Sequence, residues 1–138
     1  MNLAGIRAGL KANITAVVTD ATMDGYLLTP VTAPGFEVEV SNMQYDATYG
    51  RGTDELDVIV RGYLSLNEPA ESEKRRDNWI DGTAGESIKA AIESDKTLGG
   101  ACDSLRVTGA TARTVVPVDS NAAYLCAEFT VHIIGDPN

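Results

Sequence analysis

This 138-residue chain has few of the residue types on which catalytic and metal sites depend. It contains one histidine and two cysteines, too few for the clustered ligands of a zinc site. Positive charge is also scarce, because 11 Lys and Arg stand against 20 Asp and Glu and give a formal net charge of -9. Proteins that read nucleic-acid sequence, or that adhere to anionic membranes, need an excess of basic residues. The composition therefore argues against both functions.

Long apolar runs are missing as well. Charged and polar residues interrupt the N-terminal Met1–Val18 segment, unlike the apolar core of a signal peptide. No other segment approaches the roughly 18 apolar residues of a membrane-spanning helix. Cys102 and Cys126 lie in different contexts, so we expect two reduced thiols in a cytosolic product. We expect a protein without a membrane partner.

The first third of the chain predicts a helix followed by an irregular segment. Apolar residues spaced by three or four positions form the helical stripe, namely Leu3, Ile6, Leu10, Ile14 and Val17. Asn2 is placed to cap this helix, because its side-chain oxygen can accept a free backbone N–H. Asp20–Gly25 predicts a turn, and Tyr26–Leu28 a short strand. The two prolines of Thr29–Gly35 predict a loop.

Alternating apolar and acidic residues then predict a strand over Phe36–Val40 with one buried face. Ser41–Thr53 is expected to be a partly extended loop. A longer strand begins at Leu56 and ends before Pro69. Gly62 occupies a position of this strand where the alternation predicts an apolar side chain, and a glycine there indicates a bulge or a close approach of another group.

The second half predicts two helices and three strands. Glu71–Ile80 is a charged helix whose apolar anchors are Trp79 and Ile80. A second helix, expected to be capped near Gly85 or Ser87, has the apolar stripe Ile88, Ala91 and Ile92, and Gly99-Gly100 is expected to stop it. Strands follow at Leu105–Val107 and Arg113–Val118. In the last strand, alternate residues form two sets that point to opposite sides. One set runs from Leu125 to Ile133 and is apolar. The other set contains Tyr124, Cys126, Glu128, Thr130 and His132.

The pattern as a whole predicts a single α+β domain over residues 1–138. We expect roughly five mostly antiparallel strands, with the helices packed on one face of the sheet.

The chain offers no convincing constellation for chemistry. It has no Gly-x-Ser-x-Gly turn for a nucleophile. The Gly82–Ser87 segment lacks the lysine of a phosphate-binding loop, and Glu86 would repel phosphate. Glu37 and Glu39 are best explained as an exposed edge or face, and His132 as a surface or interface residue. We therefore predict no enzyme activity and no catalytic, cofactor-binding or metal-binding residue.

Lys74-Arg75-Arg76 is the one basic cluster. It can be a solvated helix face in which Glu71 and Arg75 pair at positions i and i+4. As a second reading, Arg75 and Arg76 can contact an acidic patch on an adjacent copy of the chain. The sequence leaves both readings open.

The segment from Tyr45 to Asp54, together with the adjacent Glu55, is the best candidate for contact with a partner. Tyrosine and arginine are enriched at protein interfaces because they bury a large area and still form hydrogen bonds. The interface residues expected here are Tyr45, Asp46, Tyr49, Arg51, Asp54 and Glu55. Arg51 can form a two-pronged pair with a carboxylate of a neighbouring copy. Alternatively, Tyr45 and Tyr49 only cover the end of the sheet.

Three segments resemble those of tail terminator proteins from bacteriophages with long, non-contractile tails. They are Tyr45–Leu56, Ser87–Thr108 and Ala123–Val131, and in order and spacing they span most of the chain after Tyr45. The first third matches only in pattern, as a helix followed by a loop broken by proline.

The resemblance implies a structural virion protein at the head–tail junction, assembled in the host cytoplasm. Such subunits form a six-membered ring that caps the tail tube, stops its polymerisation and joins it to the head-side connector. The implied partners are further copies, the tail tube protein, the connector or stopper protein, and genomic DNA that passes without sequence-specific binding. No cofactor is implied. A head-closure or stopper protein is the first alternative, and a small α+β ligand-binding domain or enzyme is the second.

Overall fold

The computed structural model describes residues 1–28, 30–45, 52–116 and 122–135. Within these residues, three helices, four strands and one 3-10 turn follow one another. They are α1 (Leu3–Thr15), β1 (Gly35–Gln44), β2 (Asp54–Ser65), α2 (Pro69–Ile80), α3 (Ile88–Ile92), the 3-10 turn Leu98–Gly100, β3 (Ser104–Val115) and β4 (Tyr124–Gly135). They form a single α+β domain in which the helices pack against a four-stranded antiparallel sheet.

The strands lie in the order β1-β2-β4-β3, so β2 and β4 are central and β1 and β3 are the edges. The central pair is continuous from Asp54↔Gly135 to Ser65↔Tyr124. The pairing register shifts once in each edge strand, at Ser41 in β1 and at Thr108 in β3. The predicted antiparallel arrangement is thereby confirmed.

Along the strands, every second side chain points towards the helices, and these side chains form the core together with the helices. The alternation predicted for β4 is confirmed, since its buried apolar set is Leu125, Ala127, Phe129, Val131 and Ile133. We call this side of the sheet the apolar face and the opposite side the polar face. The helices contribute Ile6, Leu10, Ile14, Trp79, Ile88 and Ile92 to the same cluster.

Gly62 lies where two aromatic rings meet above the sheet. A Cβ atom at this position would be 2.6 Å from Phe36 and 2.7 Å from Trp79. The two rings instead pack with their centroids 4.7 Å apart. The close approach predicted for Gly62 is therefore confirmed.

The helix caps and stripes agree with the sequence prediction more closely than the helix ends do. Asn2 caps α1 by accepting the Gly5 N–H at 3.2 Å, and Ser87 caps α3 by accepting the Ala90 N–H at 3.2 Å. However, Leu3 of the predicted α1 stripe is exposed, and α1 ends at Thr15, so Val17 lies beyond it. Likewise α3 ends at Ile92, and the prediction that it continues to Gly99-Gly100 is wrong. The Asp95 carboxylate accepts the N–H groups of Thr97 and Gly99, and this local turn replaces helical hydrogen bonds.

The described residues form four strands, fewer than the roughly five expected, because two of the six segments predicted as strands do not form separate strands. Tyr26–Leu28 is not a strand, because Gly25 takes φ +90° and the Tyr26 N–H bonds the Asp24 carboxylate in a turn. The strands predicted at Leu105–Val107 and from Arg113 are one continuous β3; residues 117–118 lie outside the described ranges.

Two element boundaries also differ from the prediction. β1 extends to Gln44, so residues 41–44 are not a loop. α2 begins at Pro69, and proline is a favourable first helical residue.

Candidate assembly surface

The polar face of the sheet carries a network of charged side chains centred on Arg61 of β2. Its neighbours across the sheet are Glu37 on β1 and Glu128 on β4, as the register requires. The Arg61 Nε donates to Glu128 Oε2 at 2.5 Å. Its Nη1 donates to Glu39 Oε2 at 2.5 Å and to Glu37 Oε2 at 3.3 Å. Partial burial opposes the charged form of Arg61, but the bonds to Glu39 and Glu128 outweigh it and raise the pKa of the guanidinium.

Glu37 is an integral part of this network and not an exposed acid. Only 5% of the residue is exposed, so the expectation of a surface carboxylate was wrong for Glu37. Its carboxylate accepts hydrogen bonds from the Tyr63 hydroxyl at 3.0 Å and from the Leu28 N–H at 3.2 Å. Burial, together with the nearby Glu37 charge, raises the pKa of the Tyr63 phenol. Glu39, in contrast, leaves 46% of its side chain exposed.

His132 forms a second cluster on the polar face. Its Nδ1 lies 2.8 Å from Asp57 Oδ1, and its Nε2 lies 3.3 Å from Glu55 Oε1. The hydrogen bond with Asp57 raises the pKa of the imidazole, burial opposes this, and the bond with Glu55 adds to it. His132 is thus partly exposed and fixed between two carboxylates. Arg106 of β3 lies directly across the sheet from it.

The edge strand β3 is exposed along most of its length. Every residue from Thr108 to Thr114 is exposed, including those whose side chains point to the helix side. Two side chains bind the backbone of this edge: Glu93 accepts the Val107 N–H at 2.9 Å, and Arg76 Nη1 donates to the Arg113 carbonyl at 3.2 Å. β3 is therefore a lightly covered edge of the sheet, a type of surface that can pair with other chains.

The two predicted residues of the basic cluster have partners within the same chain. Arg75 donates from Nη1 and Nη2 to the Asp20 carboxylate at 3.0 and 2.6 Å. It also donates to Glu86 at 3.1 and 3.2 Å, and it lies over the Trp79 ring. The expected Glu71–Arg75 pair does not form, because Lys74 pairs with Glu71 instead. Arg75 therefore fastens α2 to the segments that contain Asp20 and Glu86.

The other predicted contact residues are divided between the surface and the interior. Tyr45 follows β1 and is 71% exposed, a position suited to partner contact. Asp54 begins β2 and is only 4% exposed. Glu55 is partly exposed beside His132. The predictions for Asp46, Tyr49 and Arg51 concern residues outside the described ranges.

Two shallow clefts flank β3 in the described part of the chain. One of about 160 Å³ is lined by Lys96, Arg106 and His132, with Ser104, Leu105 and Ile134. The other, of about 190 Å³, lies on the helix side. Its lining residues are Ile80, Lys89, Val107, Thr108, Gly109, Ala110 and Phe129.

Both cysteines are reduced and buried, and burial raises the pKa of each thiol to about 11. Within the described ranges, no group of three or more His, Cys, Asp or Glu residues is arranged to hold a metal ion. No helix in those ranges is long and apolar enough to cross a bilayer.

Sequence reasoning did not identify Arg61, Asp57 or Glu128 as members of a cluster. Each occupies a polar position in the alternation of its strand, and this alternation was the one feature of the sequence that pointed to the polar face. The distance between them in sequence concealed the contact, because Arg61 and Glu128 are adjacent only in the register of β2 and β4.

Comparison with models of known protein families gives no match to this chain, and comparison with curated protein sequences gives none either.

Proposed function

We propose that this chain is a tail terminator subunit of a bacteriophage with a long, non-contractile tail. Copies form a ring, six-membered by the resemblance, that caps the tail tube, stops its polymerisation and joins it to the head-side connector at the head–tail junction of the virion. The observation that carries the proposal is the pattern of the three segments Tyr45–Leu56, Ser87–Thr108 and Ala123–Val131.

The fold supports the proposal by bringing these three segments into one unit. The first leads into β2, the second contains α3 and the start of β3, and the third supplies most of β4. Val131 of β4 pairs with Val58 of β2 on one side and with Val107 of β3 on the other. The resemblance therefore falls on adjacent strands of one sheet and on the helix that packs beside them.

The charge of the subunit suits a ring through which DNA passes. The formal net charge is -9, and a negative passage repels phosphate, so a duplex can move without sticking to the wall. The same charge makes free copies repel one another at low salt. We therefore expect the isolated protein to associate weakly and the ring to close chiefly on the end of the tube.

The fold also bears on the alternatives. Head-closure and stopper proteins commonly resemble small β-barrels with few helices. An open four-stranded sheet with three packed helices fits the terminator proposal better.

Disrupting the gene tests the proposal directly. We expect heads without joined tails and tail tubes of abnormal, often excessive, length in lysates examined by electron microscopy. Purified protein added to polymerising tube protein should shorten the tubes. Tails of normal length joined to heads in the disrupted strain would refute the proposal.

A further inference from the structure

The cleft of about 160 Å³ beside β3 has no carboxylate in its lining, and we call it the basic cleft. Its polar side chains are those of Lys96, Ser104, Arg106 and His132. The strand register brings three of them together. Arg106 pairs with His132 across the sheet, and Ser104 stands two positions before Arg106 on the same face of β3. Lys96 adds its ammonium group from the segment between α3 and the 3-10 turn.

Arg106 and Lys96 have no partner of their own. Within the described ranges, the other lysine and arginine side chains except Lys11 either pair with a carboxylate or donate to a backbone carbonyl. Arg106 and Lys96 do neither, and both are exposed. Lys96 interacts electrostatically with Glu93, but Glu93 forms its ion pair with Lys89, at 2.6 Å. The basic cleft therefore carries two positive charges that no described carboxylate neutralises by direct contact.

The acids nearest the basic cleft in the sheet are held by His132. Asp57 lies 2.8 Å from its Nδ1, and Glu55 lies 3.3 Å from its Nε2. Both ring nitrogens of His132 are thus occupied, so the imidazole forms a wall of the cleft and has no free nitrogen for a ligand. Asp103 precedes Ser104 in the sequence but is not part of the lining. The groups free to bind a ligand are a guanidinium, an ammonium and a hydroxyl.

These three groups select the chemistry of the ligand. Guanidinium and ammonium groups donate hydrogen bonds and cannot accept them, so the ligand has to present acceptors. An arginine can donate two parallel hydrogen bonds to the oxygens of a phosphate, and a lysine contributes a point charge. Two unpaired positive charges are balanced by an anion that carries two negative charges. The cleft is smaller than the roughly 300–1,000 Å³ of pockets for larger organic ligands, so its volume of about 160 Å³ suits a single small anion.

We propose that the basic cleft binds a phosphate dianion. Arg106 donates hydrogen bonds from its guanidinium, Lys96 supplies the second positive charge, and the Ser104 hydroxyl donates a further hydrogen bond. The DNA backbone is a less suitable source of the phosphate, because each phosphodiester carries one charge and a chain with a formal net charge of -9 repels a polyanion. The cleft lies within one copy of the chain, so the binding of phosphate does not depend on the proposed ring.

Titration of the isotope-labelled full chain with sodium phosphate tests the site by NMR. The titration is made at constant ionic strength and at about pH 8, above the second pKa of a phosphate group. The backbone amide signals of Ser104, Arg106 and His132 should shift and reach saturation, with a Kd of the order of 1 mM. Shifts that grow in proportion to phosphate without saturating would overturn the proposal.

Four substitutions at exposed positions separate the site from general charge effects. Arg106→Gln should weaken phosphate binding about tenfold, because it removes charge-assisted hydrogen bonds, and Lys96→Gln about threefold. Arg113→Gln is the control for the first, because Arg113 lies on the same strand but is paired with Glu128. Lys11→Gln is the control for the second, because it removes an unpaired lysine from α1. Each control should change the Kd by less than about twofold; controls that weaken binding as much as the cleft variants would overturn the proposal.

A short DNA duplex distinguishes the two sources of phosphate. At an equal concentration of phosphate groups, the duplex should shift the amide signals of the basic cleft less than inorganic phosphate does. Larger shifts with the duplex would overturn the proposal that the ligand is a dianion, and would assign the cleft to the DNA backbone instead.

Discussion

The two faces of the sheet are stabilised in different ways, although the same strands form both. On the apolar face, Val58, Val60, Phe129 and Val131 are at most 1% exposed and pack without directional requirements. On the polar face each charged group depends on particular partners, as Arg61 does on three carboxylates. We infer that the apolar face supplies most of the folding free energy, while the polar face fixes which groups the protein presents to its surroundings.

Typical magnitudes support this division. Burying one large apolar side chain contributes about 1.5–3 kcal/mol. A partly exposed ion pair contributes about 0–1 kcal/mol, yet removing one member of a buried pair costs more because the other charge is left unpaired. Substitutions on the two faces should therefore differ in how much they lower the free energy of unfolding and in how that loss responds to pH.

The largest effect is expected from Phe129→Ala on the apolar face. Phe129 is 1% exposed at the centre of β4, so its removal leaves a cavity in the core. We expect the free energy of unfolding to fall by about 3–5 kcal/mol. Urea denaturation followed by circular dichroism measures this, and a loss below 1 kcal/mol would show that this face is loosely packed.

Arg61→Met should give the largest effect on the polar face. It leaves Glu37, Glu39 and Glu128 without their shared cation while keeping most of the aliphatic volume. We expect a loss of about 2–3 kcal/mol at neutral pH. Urea denaturation at pH 7 measures it, and a loss below about 1 kcal/mol would show that the three carboxylates do not depend on Arg61.

Two adjacent residues of β4 allow the faces to be compared directly. Val131 points to the apolar face and is 0% exposed, while Thr130 points to the polar face and is exposed. Val131→Thr buries a hydroxyl and should cost about 1–2 kcal/mol. Thr130→Val should change stability by less than about 0.5 kcal/mol. Equal effects in thermal denaturation would contradict the division between the faces.

A small effect that depends on pH is expected at His132. Its pKa in the folded protein is raised above the ordinary value of 6.5, chiefly by Asp57. The contribution of His132 to the free energy of unfolding is therefore fully present below about pH 6.5, and it is lost as the pH rises through the folded-state pKa. Because the site is partly exposed, His132→Gln should cost less than about 1 kcal/mol at pH 6 and almost nothing at pH 9. Denaturation of both proteins at the two pH values checks this, and NMR titration of the imidazole gives the pKa itself.

The sequence predicted those features that depend on local pattern. Alternation along β4 and the stripe of Ile6, Leu10 and Ile14 follow from the geometry of a strand and a helix, whatever lies opposite them. The caps at Asn2 and Ser87 require only their own first helical turn. These predictions were correct because no distant residue decides them.

The features missed depend on partners far away in sequence. Glu37 looked like an exposed acid because Tyr63 and Arg61, which hold it inside the protein, lie more than 20 positions further along. Arg75 looked ready to pair with Glu71, but Asp20, 55 residues away, binds it instead. The strand predicted at Tyr26–Leu28 failed because Asp24 and Gly25 form a turn there.

The position of β4 has a consequence for how the protein folds during synthesis. β4 is the last element described, yet it lies between β2 and β3 and pairs with both along their length. Until the ribosome has released it, β2 has no partner on one side and β3 has no neighbour in the sheet. The apolar residues of β2 therefore stay exposed on the nascent chain, and pairing waits for contacts between residues about 60 to 80 positions apart. Emergence of β4 from the ribosome should therefore complete the sheet and the core in a single step.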